Sequence, residues 1–507
     1  MFRRSTPAWL ALASSVLCGL GSASVASAES GPNAVFTLDT PISTVQSPTV
    51  GPRRDVIVVP PRPGDAAALV SPIIYLNRCT GGCTLKTGSS DDAVMNTTPL
   101  VEADTNLSAF THGEQAWQDL LTCMREIYSP FDVQITDARP GAGTQYHMAI
   151  VAGTSTEANK PGTLGVAFVN SDCSPRNNTI SLSFANSHGG TGASLTQSLC
   201  HTVGQESAHA YGLDHAFKFS DGRSTCNDPM TYQSDCGGQR FYRNDSASCG
   251  EFAARACGST GACGSSQNAH AKLLTVFGPS TAAPLITPPT AMVTTPQAGG
   301  TLGAIVAAQA GSKRGVAKVE LLLNGFKWAE AKGAQFGQNG QPNPSSYSMM
   351  VPTSVPNSKI DVVVRACDDL GKCTESAPVL VTKGAPCTAA EMCAKGQKCE
   401  DGKCFWDQPA GELGADCDYP QFCKSLRCEG PTEAQVCSQG CVPGTGDSCP
   451  DGLECLETGP GQGICYTAAD DGGGCCSVGG DDGPAPWALH GGVAALLIGL
   501  LVRRRRS

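Results

Sequence analysis

The chain has 507 residues and a formal charge of −10, from 35 basic and 45 acidic side chains, and it shows no basic face interleaved with aromatics. Nothing in it is suited to a phosphate backbone, so nucleic acid is excluded as an expected partner. The length allows about three domains at roughly 150 residues each, and the 27 cysteines set the redox question early.

Arg3 and Arg4 precede an apolar stretch from Trp9 to Leu20, and Ala26-Ser27-Ala28 supplies small residues for cleavage before Glu29. Residues 1–28 therefore read as a secretory signal peptide and are set aside from the fold. Behind such a leader, cysteines are expected to pair as disulfides in an oxidising compartment.

Residues 29–72 carry many Pro, Ser, Thr and Gly with little periodicity, which suggests a linker or pro-segment. In Arg78-Cys79-Thr80-Gly81-Gly82-Cys83 the short loop favours a local disulfide, with a pro-segment thiol capping a metal as the alternative. From 113 to 128, Trp117, Leu120, Leu121, Met124 and Ile127 recur at helical spacing, and Pro130 stops the run. Strand-like segments follow at 131–137, 146–152, 163–169 and 179–185. A second helix is expected from Ser194, where Gln197 three places on completes a capping-box spacing.

The chemistry is concentrated in Gln205-Glu206-Ser207-Ala208-His209-Ala210-Tyr211-Gly212-Leu213-Asp214-His215. On a helix, positions 205 and 209 lie one turn apart on one face, so their side chains can converge on one ion. Gly212 can take a left-handed conformation that ends the helix and lets His215 approach the same point. Each of these residues taken alone has a plainer role: Glu206 as a solvated helix carboxylate, His209 as a hydrogen-bonded histidine, Met230 as core and Tyr232 as a packed aromatic. His201 lies eight residues before His209, about 12 Å along a helix, too far to replace Gln205 at one ion. His112, His147 and His188 have no ligand spacing, and Ser207 has no glycine elbow around it.

Taken together, the stretch resembles the metzincin zinc-peptidase motif, matrixin-like in type, which reads His-Glu-x-x-His-x-x-Gly-x-x-His and is followed by a methionine turn. Asp228-Pro229-Met230-Thr231-Tyr232 is similar to that turn. The resemblance implies an α/β (α+β) peptidase domain over 73–280 that binds zinc and hydrolyses a protein or peptide substrate. His209 and His215 would be metal ligands, Glu206 the general base and Met230 the floor beneath the metal. Tyr232 would be a tyrosine able to reach the metal or the reacting carbonyl. The departure is Gln205, an amide where the motif has its first histidine, and a weaker donor toward zinc. The rival expectation is a catalytically inactive surface protein that keeps the scaffold for adhesion or recognition.

After this domain, turn-separated β-rich stretches over 283–384 suggest an all-β Ig-like sandwich stapled by Cys367 and Cys373. Twelve cysteines between 387 and 465 predict a small disulfide-rich module, 387–466, with about six bridges of undetermined pairing; a zinc cluster is the alternative. Residues 472–507 hold Gly474-Cys475-Cys476, an apolar run from Trp487 to Val502, and Arg503 to Arg506. That order resembles the MYXO-CTERM sorting signal of myxobacterial surface proteins. It implies processing near Cys475 or Cys476, contact with the membrane before processing, and delivery to the cell surface or outer membrane, with release possible. An ordinary single-pass anchor is the alternative, although the run is short of the roughly 20 residues that a span usually needs.

Overall fold

The computed structural model describes residues 53–62, 70–233, 238–259, 261–333, 343–431, 433–443, 449–450, 452–459 and 462–466. The expected signal peptide, the tail with Cys475 and Cys476, and the expected apolar span lie outside the described residues. Among the described residues no helix is long and apolar enough to cross a membrane. The architecture is multi-sheet and mostly β, with many disulfides.

The first sheet has six strands: β1 (Arg53–Val59), β2 (Ile73–Asn77), β3 (Gln134–Thr136), β4 (His147–Val151), β5 (Thr163–Asn170) and β6 (Ile180–Ser183). Their spatial order is β1-β5-β6-β4-β2-β3. The pairings β6/β4, β4/β2 and β2/β3 are parallel, whereas β5 runs antiparallel to β6 and β1 runs parallel to β5. The strands at 134–136, 147–151, 163–170 and 180–183 fall within or close to the stretches whose alternation suggested them.

Two helices, α1 (Gly113–Tyr128) and α2 (Gly192–His209), cover one face of the sheet. Alternation along each strand divides the core into two layers. Ile74, Leu76, Ala149 and Val151 share a cluster with Trp117, Leu121, Leu199 and Val203 on the helix side. Tyr75, Met148, Ile150 and Leu182 share another with Leu85, Leu100 and Leu107 on the opposite side. The two helices lie close: a Cβ on Gly204 would stand 2.8 Å from Ile127 Cδ1, and Cys123 is bonded to Cys200. Burial of α1 follows the expected stripe of Trp117, Leu120, Leu121, Met124 and Ile127.

Two expectations need correction. Helix α2 begins at Gly192 after Thr191, and no side chain caps it. Ser194 already lies in the first turn and donates to Thr191 O, while Gln197 Oε1 accepts from Gly238 N, so the capping box does not form. For 29–72, expected as linker or pro-segment, the linker alternative does not describe residues 53–59. Residues Arg53–Val59 form the outer strand of the sheet, in register from Arg53 opposite Thr163 to Val59 opposite Asn170.

Beyond α2 come a small sheet of Ala216–Phe219, Ser246–Cys249 and Ser266–Asn268 and a helix, α3 (Ala269–Phe277). The described residues of 290–383 build two β-sheets around one core, which contains Val306, Ala308, Val319, Leu321, Val362 and Val364, and the second sheet is extended by Lys398–Glu400 and Lys403–Phe405. Cys367 bonds to Cys373. This part meets the preceding one through a buried triad in which Asp369 lies between Arg243 and Arg314. Burial alone would raise the Asp369 carboxyl, but the two guanidiniums outweigh it and hold it at about 2.

The twelve cysteines from 387 to 465 form six bridges, in three successive interlaced pairs. These are Cys387–Cys399 with Cys393–Cys404, Cys417–Cys428 with Cys423–Cys437, and Cys441–Cys455 with Cys449–Cys465. The module is thus three two-disulfide units in tandem, a repeat that the uneven cysteine spacing hides in the sequence.

Candidate metal centre

Helix α2 ends at His209 because Gly212 turns the chain, with φ of +82°. That left-handed conformation suits glycine, and the space is closed to anything larger, since a Cβ there would lie 2.0 Å from Cys173 O. Gly212 N donates to His209 O and Leu213 N to Ala208 O, which satisfies the last helical carbonyls and sends the chain back toward the helix end.

The turn brings His215 against His209, with the Nε2 atoms 3.2 Å apart. Each ring is fixed by its other nitrogen. His209 Nδ1 lies 2.7 Å from Leu213 O, and His215 Nδ1 lies 2.8 Å from Glu251 Oε1. Both of those partners are oxygens that only accept, so each Nδ1 carries the proton and each Nε2 presents a lone pair. Two lone pairs facing each other at that distance repel unless a cation lies between them. Two nitrogens bound tetrahedrally to one zinc, at roughly 2.0–2.1 Å each, stand about 3.3 Å apart. A bridging proton is the alternative, but burial, with His215 alongside, pushes the His209 imidazole below its usual range, which disfavours it.

Gln205, fully buried one turn before His209, donates from Nε2 to Thr231 O at 3.1 Å. That anchor fixes the amide so that Oε1 is left buried without a hydrogen-bond partner among the described residues. An orphaned buried carbonyl is costly, and one located on the His209 side of the helix is a donor in want of a cation. The donor set of two imidazoles and an amide oxygen therefore fits a metal ion.

Glu206 is fully buried, and neither of its carboxylate oxygens has a hydrogen-bond partner among the described residues. Desolvation pushes its carboxyl well above the usual range, and Arg54 opposes that shift. Room for it is made by Gly165 on β5, where a Cβ would stand 2.6 Å from both Glu206 Cγ and Oε1. Met230 is fully buried in a tight turn: its N donates to Asp228 Oδ1 at 2.8 Å, and Arg243 N donates to Asp228 Oδ2 at 2.8 Å. The Tyr232 ring packs edge-on to His215 at 4.7 Å, and its hydroxyl donates to Asp55 Oδ1 at 3.3 Å.

Four residues at this centre carried no signal in the sequence: Glu251, Arg255, Arg54 and Asp55. Arg255 spans Asp214 and Glu251, donating to Asp214 Oδ1 at 2.7 Å and to Glu251 Oε2 at 3.0 Å. Burial opposes ionisation of Glu251, yet the hydrogen bonds from His215 and Arg255 hold its carboxyl well below the usual range. Asp214 in turn accepts from His215 N at 2.7 Å. Asp214, His215 and Glu251 come together closely enough to hold a metal themselves, but Arg255 already bridges both carboxylates, so they serve to orient the imidazole.

The other groupings are not alternatives. In the C-terminal module, the sulfurs of Cys387, Cys393 and Cys399, of Cys417, Cys423 and Cys428, and of Cys441, Cys449 and Cys465 are close enough to hold a metal. All nine are committed to disulfides and offer no thiolate. His147 is hydrogen-bonded to Ser181, His188 to Ser198, and His201 to Arg240.

No protein-family model matches the chain, and no curated protein does. Among solved structures, the fibronectin(III)-like modules of Clostridium thermocellum CbhA match 21% of this chain and 51% of theirs, at 20% identity and a TM-score of 0.15. The chain thus spans about half the length of that structure, and a likeness at that score carries no argument about fold or function.

Proposed function

We propose that the chain is an exported, zinc-dependent endopeptidase whose catalytic domain, 73–280, is of the metzincin type. The observation that carries this reading is the facing pair of His209 and His215 lone pairs, with the orphaned oxygen of Gln205 one helical turn before His209. Further support comes from the antiparallel strand β5 beside α2, the Gly212 turn and the Met230 turn. The disulfides support an oxidising compartment, and the C-terminal sequence favours the cell surface.

His209, His215 and Gln205 would hold the zinc, and Glu251 and Leu213 O would orient the two rings. When bound, zinc supplies Lewis-acid polarisation of a carbonyl and a lowered pKa for a bound water. Glu206 has no competing hydrogen bond among the described residues, and it would take the proton of the attacking water and return it to the leaving amine. Peptide hydrolysis then needs no covalent intermediate. Tyr232, packed on His215, would donate to the oxygen of the reacting carbonyl in place of its present bond to Asp55.

A second reading, a non-catalytic surface protein for adhesion or recognition, is favoured by Gln205 in the place of an imidazole. Zinc content of the purified chain, measured with cleavage of a mixed peptide pool before and after residues 29–62 are removed, separates the two. Zinc with cleavage is expected. Bound zinc without cleavage in either form supports the second reading, and absence of zinc after reconstitution removes the first.

A further inference from the structure

We propose that the cavity where α3 meets the β-sandwich is a binding site for a small amphipathic carboxylate, whose apolar body lies against a wall of prolines and aliphatic side chains and whose carboxyl is held by His270 and Lys372. The inference is independent of the peptidase reading and concerns residues that the candidate metal centre does not use.

The cavity has a volume of about 540 Å³. That falls within the roughly 300–1,000 Å³ of small-molecule sites, which often lie between domains. Its apolar wall is built by Pro130, Leu274, Pro279, Ile286, Pro288 and Leu370. Half of these are prolines, whose fixed φ leaves the segment that follows α3 little freedom to collapse inward. That segment is also pinned where it starts, since Asp132 N donates to Gly278 O at 3.2 Å and Ser280 N donates to Pro130 O at 3.0 Å. Leu274 is 36% exposed, although Leu273 beside it on α3 is fully buried. Apolar surface is thus held open here, and a ligand's hydrocarbon body would cover it.

His270 is the polar group set into this wall. It is 8% exposed, its Nδ1 is buried with no hydrogen-bond partner among the described residues, and its ring packs on Phe131 at 5.0 Å. Burial, with Arg314 nearby, lowers its pKa to about 4, so the imidazole is neutral and carries one proton on one of its two nitrogens. A buried N–H without an acceptor is the rarer and costlier orphan. Nδ1 therefore keeps the lone pair and Nε2 carries the proton. A donor on a cavity wall, with no acceptor supplied by the described residues, is matched by a ligand oxygen.

The charges decide what kind of oxygen that is. Three charged side chains line the cavity, Arg314, Lys372 and Asp368, and two of them are cations. Arg314 is engaged by Asp369. Asp368 is already supplied with donors, since its Oδ1 accepts from Leu370 N and Lys372 N, both at 2.9 Å. Lys372 has no ion pair among the described residues, so its ammonium is the charge left for a ligand. A neutral donor within the wall and a free cation at its exposed side suit one carboxylate at the end of an apolar body. A ligand seated there would touch α3 and the 368–372 turn of the sandwich at once.

The test is isothermal titration of the full chain with sodium octanoate, octanamide and sodium acetate, on the parent, His270→Leu, Lys372→Ala and Leu274→Trp. His270→Leu keeps the packing on Phe131 while removing the donor, and Leu274→Trp fills the cavity from a side chain that already reaches solvent. Octanoate should bind the parent at one site with a Kd below about 1 mM. Acetate, which lacks the body, and octanamide, which lacks the charge, should each bind about 10-fold more weakly or worse. His270→Leu and Leu274→Trp should weaken octanoate by about 10-fold or more, and Lys372→Ala by about 3-fold, an effect that fades as salt rises. No saturable octanoate binding by the parent overturns the proposal, as does octanamide that binds as tightly as octanoate. Equal octanoate binding by the parent and a folded Leu274→Trp chain puts the ligand elsewhere and also overturns it, and that variant decides the matter if His270→Leu does not fold.

Discussion

The Nε2 atoms of His209 and His215 face each other at 3.2 Å while each Nδ1 is committed to an oxygen that only accepts. One zinc per chain is the expected consequence. His209→Ala or His215→Ala should abolish retention against a chelator. Glu251→Gln, which leaves both imidazoles in place but loosens one, should weaken retention by about 10- to 100-fold. Elemental analysis with chelator competition reads all three, and a Glu251→Gln protein that holds zinc like the parent would remove that residue from the site.

Gln205 distinguishes this centre from a three-histidine one. Its amide is anchored through Nε2 to Thr231 O, so Oε1 is presented rather than free to swing. Gln205→Ala should lower zinc retention by about 10-fold, and Gln205→His should raise it. The same chelator competition decides the matter. Equal retention by Gln205→Ala and the parent would show that the amide is not a ligand.

Gly165 is required by space alone, because a methyl group there meets the Glu206 side chain at 2.6 Å. Gly165→Ala should displace the carboxylate and cut hydrolysis by about 100-fold or more while zinc stays bound. Rate and metal content are measured together, and loss of both would mean that the substitution disrupts the domain instead.

Much of this architecture was legible in the sequence, and the part that was not has physical reasons. Helix α1 could be read because its apolar stripe buries against a sheet, and the Gly212 turn because a helix must end for His215 to return. Strand β1 was hidden because Val56-Ile57-Val58-Val59 sits in a proline- and glycine-rich stretch, and its partner lies more than 100 residues away, Val56 opposite Ala167. Glu251 was hidden for a similar reason: it is brought to His215 across 36 residues by the loop that the Cys249–Cys257 bridge closes, and no local pattern marks it. The Ser194 and Gln197 pair shows the opposite failure, a correct spacing two residues inside a helix that starts earlier.

The Arg243–Asp369–Arg314 triad makes the junction between the first part of the chain and the β-sandwich sensitive to acid. Its carboxyl, at about 2 when folded, lies below the roughly 3.9 of an unfolded aspartate. The stabilisation is therefore present above about pH 4 and is lost as pH falls toward 2. Asp369→Asn leaves two buried guanidiniums unpaired and should cost on the order of 3 kcal/mol at neutral pH. In thermal melts, the gap between parent and variant should close as pH is lowered from about 4 to 2. A gap that stays constant over that range would show that the triad contributes nothing through its charge.

The most direct test of the zinc-peptidase account is a comparison of the parent with Glu206→Gln, both freed of residues 29–62 and both shown to carry zinc, in cleavage of a mixed peptide pool. The account expects the parent to cleave and the variant to be slower by about 100- to 10,000-fold at unchanged metal content. A variant as fast as the parent, or a zinc-loaded parent that cleaves nothing, would contradict it.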